Sequence, residues 1–98
     1  LTDLMIAELL ARDISVLTPE ESAHRGGVVA FEAAQAVQLA RHLRGRDVDV
    51  WGYDSDQRVR ADPHLYNTAD DVQRLIDGIE DFMTREGADA VLAPRSWR

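Results

Sequence analysis

The sequence contains no cysteine and no lysine, and each absence closes off a chemistry. Without cysteine there is no disulfide, no thiolate nucleophile and no cysteine-ligated zinc. The lack agrees with a reducing compartment. All eleven cations are arginines, so no side chain can form a Schiff base with a carbonyl compound. No apolar run approaches the ~18 residues of a membrane span, and no basic–apolar–small pattern opens the chain as a signal peptide does. With 6 Gly and 3 Pro, the composition is far from collagen or low-complexity sequence. These absences lead us to expect a soluble, cytoplasmic protein with no membrane partner.

What is present is ordinary globular material: 98 residues, 45% hydrophobic and 30% charged, enough for one domain around one core. A chain of this size removes about 65% of its unfolded surface from water on folding. Eighteen acids against eleven arginines leave a net charge of −7, which repels a phosphate backbone. A nucleic-acid partner is not expected unless the arginines cluster. Position 1 is Leu rather than Met, which points to a processed or truncated product.

Along the chain, Met5, Ile6, Leu9 and Leu10 predict a short helix over Leu4 to Arg12, with Asp3 and Glu8 on its polar side. Only Glu8 interrupts the apolar run from Leu4 to Ala11, which makes this helix a candidate docking surface, together with the tail around Trp97. Ile14 to Leu17 reads as a brief strand halted at Thr18-Pro19, and Arg25-Gly26-Gly27 as a turn. Val28 to Ala33 alternates as a second strand. Ala36, Leu39, Ala40 and Leu43 define a second helix, with Gly45 as its expected C′ residue. Val48 and Val50 belong to a third strand, Asp54-Ser55-Asp56 to a turn, and Arg58 to Ala61 to a fourth strand. Thr68 is placed to cap a last helix whose stripe is Val72, Leu75, Ile76, Ile79 and Phe82, ended by Gly87. The predicted class is α+β: a small, mostly antiparallel sheet with helices on one face, in the order α-β-β-α-β-β-α. One domain is expected over residues 1–87, followed by an irregular tail over 88–98.

The fourth strand sorts its side chains. Val59 and Ala61 share one face, Arg58 and Arg60 the other. With Val59 toward the helices, both guanidiniums leave the bare side of the sheet. Such an arginine is ordinarily a solvated or salt-bridged surface charge. The alternative is a fork for a carboxylate or phosphate, whose shape its fixed donors match.

Two segments extend this reading. Leu17-Thr18-Pro19 followed by Arg25-Gly26-Gly27-Val28-Val29, and Arg60-Ala61-Asp62-Pro63-His64-Leu65-Tyr66-Asn67-Thr68 leading into Asp70-Asp71-Val72, resemble the C-terminal domain of the class V aminotransferase family. That family consists of fold type I pyridoxal-phosphate enzymes, among them cysteine desulfurases, selenocysteine lyases, kynureninases and isopenicillin-N-epimerase-like proteins. The resemblance covers roughly residues 1–83. It implies that Arg60 binds the α-carboxylate of an amino-acid substrate, and it puts His64 in a loop facing the active site, where it either touches substrate or phosphate or is an ordinary loop histidine. Asp62-Pro63 stands where family members often carry a small residue, so a carboxylate here either pairs with Arg60 or competes with substrate.

The same resemblance implies pyridoxal phosphate as cofactor of the complete enzyme, bound to a lysine of a large domain or subunit rather than to this lysine-free chain. It implies a homodimer when complete, and it leaves desulfurase, lyase, epimerase and aminotransferase reactions open. By this reading the chain alone is inert.

Other candidates are weaker. His24, His42 and His64 share no ligand spacing, and His42 falls on the polar side of its helix, where solvation is expected. Asp54-Ser55-Asp56 lacks the Gly and terminal Glu of a calcium loop. Trp51 and Tyr53 are either an aromatic contact for a ligand or edge-strand packing. The competing reading from another class is a free-standing acidic α+β module that binds a small anion or a protein without catalysis. A nucleic-acid-binding sheet would need exposed aromatics and a basic face.

Overall fold

Among the described residues three four-residue strands frame the molecule: β1 (Val29–Glu32), β2 (Val50–Tyr53) and β3 (Arg58–Ala61). The structure, a computed structural model, describes residues 2–18, 28–55, 57–62 and 68–92. β3 lies between the other two, antiparallel to both. The register places Val29, Ala61 and Val50 in one row and Phe31, Val59 and Gly52 in the next. The five side chains of these rows are fully buried, as alternation requires of a sheet with one covered face. The intervening rows, Ala30–Arg60–Trp51 and Glu32–Arg58–Tyr53, point the other way.

The strand expected at Ile14 to Leu17 is reduced to a single antiparallel bridge, Val16 to Phe31, flanked by Leu17 N–H to Ala30 O at 2.7 Å and Glu32 N–H to Ser15 O at 2.9 Å. The ladder stops because the Thr18 hydroxyl accepts from the Ala30 N–H at 2.7 Å, where a strand would offer a backbone carbonyl. The expected turn at Arg25-Gly26-Gly27 lies outside the described residues.

Among the described residues three helices cover the buried face: α1 (Thr2–Ala11), α2 (Ala36–Arg44) and α3 (Ala69–Glu86). α3 begins in a reciprocal capping box, with Asp71 N–H to Thr68 Oγ1 at 3.2 Å and Thr68 N–H to Asp71 Oδ2 at 3.1 Å. Its buried stripe is the one the periodicity marks, with Gly78 added, and Gly87 ends it at φ 93°. α2 buries Ala36, Leu39, Ala40 and Leu43. Its N-terminus is capped from outside: Asp54, in the β2–β3 turn, accepts from the Val37 N–H at 3.1 Å.

Gly45 is not the left-handed residue that closes α2. It stays right-handed at φ −65°, and the chain reverses two residues later at Asp47, φ 63°. Asp47 N–H reaches Arg44 O and Val48 N–H reaches Leu43 O, the two bonds of a Schellman motif. α1 ends identically, with Asp13 at φ 62°, Asp13 N–H to Leu10 O and Ile14 N–H to Leu9 O. In both motifs the residue after the aspartate, Val48 or Ile14, drops into the core beside Leu43 or Leu9. An apolar pair at these two positions commonly accompanies the motif.

On α1, Met5 and Leu9 are buried while Leu4 and Leu10 remain 39% and 54% exposed, so Leu10 is not a core position. Within the segment expected as a tail, Ala88–Ala90 form a 3₁₀ turn, and residues 93–98, with Trp97, lie outside the described residues. Ala90 and Val91 are buried, and their carbonyls accept from Gln35 and Ala34 N–H. No helix among the described residues is long and apolar enough to cross a membrane.

Candidate functional site

The sheet face away from the helices carries the candidate residues, and β3 runs down its middle. Arg58 and Arg60 both project there, as the alternation against Val59 and Ala61 requires. Their environments differ. Arg58 is half-buried, and its guanidinium lies 5.2 Å from the centre of the Tyr53 ring directly across the ladder, with Glu32 opposite on β1. A cation over an aromatic face, in register with a carboxylate-bearing residue, is a cross-strand structural pair.

Arg60 is open. Its side chain is 48% exposed, and its Nε donates to Asp62 Oδ1 at 3.3 Å. Asp62 lies two residues further along, just past the end of β3, and its bond to Nε places its carboxylate on the face of Arg60. No hydrogen bond among the described residues engages the terminal nitrogens of Arg60. Across the ladder stands Trp51, 55% exposed. Its ring is held from the sheet edge by Arg44, whose guanidinium lies 5.0 Å from the ring centre while Nη1 donates to Val50 O at 2.8 Å. On the other side, Ala30 is too small to reach the guanidinium.

This arrangement suits the capture of a planar anion: two parallel N–H donors on a sheet face that no helix or strand among the described residues covers, flanked by an aromatic ring and a small residue. Arg60 and Asp62 thus come together. His64 lies outside the described residues, as do His24 and Arg25. Trp51 and Tyr53 share the arginine face, and the aid Arg44 gives Trp51 is a contact from a helix that strand alternation alone could not reveal.

His42 is not a solvated surface histidine. It sits where α2 meets α3, its ring 5.5 Å from that of Phe82 and its Nε2 2.9 Å from Asp81 Oδ2, an oxygen that Arg85 Nε approaches at 3.0 Å. It belongs to helix packing. A cavity of about 330 Å³ lined by Arg44, Asp47 and Asp49 lies beside the end of α2 and mixes both charge signs. No group of three metal-ligating side chains occurs among the described residues.

Residues 1–79 match the family described as the kynureninase C-terminal domain, a span that takes in the whole sheet and Arg60. No curated protein and no solved structure matches the chain.

Proposed function

The chain belongs to the kynureninase C-terminal domain family, a family of pyridoxal-phosphate enzymes, and from that premise we propose that it serves as the small domain that holds the amino-acid substrate by its carboxylate. The observation that carries the reading is the fork of Arg60, 48% exposed, on the sheet face away from the helices, its terminal nitrogens engaged by no hydrogen bond among the described residues. Family membership favours this reading over a free-standing acidic module.

The residues present do not fit a covalent cofactor site. The chain has no lysine, and no step of the cofactor's chemistry is assigned to it. The cofactor belongs, in this proposal, to a large domain or subunit, with the complete enzyme a homodimer. Exposed Leu4, Leu10 and Leu17 supply apolar surface for packing against that domain.

The work of Arg60 is orientation. Two Nη donors gripping both carboxylate oxygens fix the plane of the carboxylate and with it the bonds at the substrate's Cα. Closure of a second domain over this face excludes water and strengthens the pair. The family's name makes L-kynurenine the first substrate to examine.

The test compares Arg60→Ala, Arg60→Lys and Arg58→Ala in the complete enzyme. Arg60→Ala is expected to cost about 2–5 kcal/mol in kcat/KM, because it deletes one partner of a dehydrated charge pair. Arg60→Lys is expected to fail as well, since an ammonium supplies charge without the fork. A silent Arg60→Ala beside a damaging Arg58→Ala would transfer the role to Arg58.

A further inference from the structure

We infer that Asp62 is a positioning residue for Arg60: it takes the side-on Nε–H and thereby presents the two end-on Nη donors to the substrate carboxylate. The inference rests on the proposed carboxylate role of Arg60 and adds a second residue to it. The sequence left two possibilities for a carboxylate at this place, partner or competitor, and the geometry separates them.

A guanidinium offers a carboxylate two bidentate edges, one made by Nε and an Nη, the other by the two Nη atoms. Asp62 reaches Arg60 through Nε, with Oδ1 at 3.3 Å, and no bond to Nη is made among the described residues. Bonding at Nε limits rotation about the last side-chain bonds while leaving the end-on edge open. Three features hold Asp62 where it can do this. It directly follows the end of β3, two residues from Arg60. It precedes Pro63, which restricts its backbone to the extended region. Its side chain is 25% exposed against 48% for Arg60, so the carboxylate is the more confined member of the pair. A competitor would occupy the edge that substrate needs, and Asp62 does not.

Positioning and competition predict opposite signs. Removal of a competitor, or of a nearby negative charge, strengthens binding of an anionic substrate. Removal of a positioning group weakens it, because the free guanidinium spends less time in the productive pose.

The experiment measures kcat and KM for L-kynurenine in the complete enzyme for Asp62→Ala, Asp62→Asn, Arg60→Ala and the double variant Asp62→Ala/Arg60→Ala, with thermal melting as a check on folding. Asp62→Ala is expected to raise KM about tenfold with little change in kcat. Asp62→Asn, which keeps an acceptor for Nε–H, is expected to recover most of that loss, and the double variant is expected to be no worse than Arg60→Ala. In the isolated full chain, the Arg60 Nε–H resonance is expected to exchange faster with water in Asp62→Ala than in the parent. A lowered KM in Asp62→Ala makes Asp62 a competitor and overturns the inference. So does an unchanged KM while Arg60→Ala is damaging, or equal Nε–H exchange in parent and variant. A silent Arg60→Ala overturns the carboxylate role and this inference with it.

Discussion

Gly52 of β2 and Ala36 of α2 meet backbone to backbone: a β-carbon at position 52 would clash with the Ala36 carbonyl and lie 2.9 Å from Val37 N. The contact locks the edge strand onto the helix, and the neighbours of Gly52, Trp51 and Tyr53, are thereby fixed on the open face beside the two arginines. Gly78 of α3 makes a milder approach, with a β-carbon there 2.5 Å from the tip of the Leu43 side chain.

The two glycines should respond differently to Ala. Gly52→Ala collides with backbone that cannot step aside, and a loss of about 3 kcal/mol or more is expected. Gly78→Ala meets a flexible methyl and gains about 1 kcal/mol of helix propensity, so its net effect is expected to stay within about 1 kcal/mol of neutral. Urea denaturation of the chain and both variants checks the ranking, and equal losses would count against the close β2–α2 contact.

Asp13 and Asp47 hold left-handed backbone that suits glycine best. Replacement of either by Gly is expected to stabilise by about 0.5–1 kcal/mol, and replacement by Val to destabilise by about 1–2 kcal/mol. Thermal melting of the four variants tests the two Schellman motifs directly.

Arg12 ties α1 to α3. Its Nε donates to Glu80 Oε1 at 2.6 Å, and Nη1 donates to Glu8 Oε2 at 2.8 Å and to Glu8 O at 2.9 Å. Burial by itself lowers the guanidinium's pKa, but the bonds and charges of Glu80 and Glu8 outweigh it and hold the value above its ordinary one. A raised cationic pKa contributes stability that is complete below the unfolded value and lost only as pH rises through the folded one. The difference between the parent and Arg12→Ala, expected at about 1 kcal/mol for a pair this exposed, should therefore be flat between about pH 7 and pH 10. Denaturation at three pH values in that interval checks it.

A chain without lysine offers no side-chain amine to pyridoxal phosphate. Borohydride treatment of the isolated chain with the cofactor is expected to leave every side chain unlabelled by mass spectrometry of its peptides. A labelled internal residue would overturn the assignment of the cofactor to another domain.

What the sequence disclosed follows the reach of each signal. Alternation over Arg58–Ala61 placed both arginines on the open face because a strand with one buried side leaves no other choice. The α3 stripe and its Thr68 cap were equally local and equally legible, while the reciprocal bond from Asp71 that completes the capping box appears only in the structure. Contacts between distant segments were not. Asp54 caps α2 from a turn 17 residues away, and the Thr18 hydroxyl cuts a predicted strand to one bridge. α1 is apolar nearly all round, so periodicity could not tell that Leu9 is buried and Leu10 exposed. His42 looked solvated because residue type says nothing of the α3 surface it meets. At the site, Arg60 and Asp62 were visible as neighbours, but which edge of the guanidinium the carboxylate takes is a matter of geometry alone.

The carboxylate grip of Arg60 is tested most directly by a crystal structure of the complete enzyme with an amino-acid substrate or unreactive analogue bound. The expected result is two N–H···O contacts of about 2.7–2.9 Å from the Arg60 Nη atoms to the two carboxylate oxygens, with Nε still on Asp62. A carboxylate held by other groups, with Arg60 left in solvent, would contradict the account.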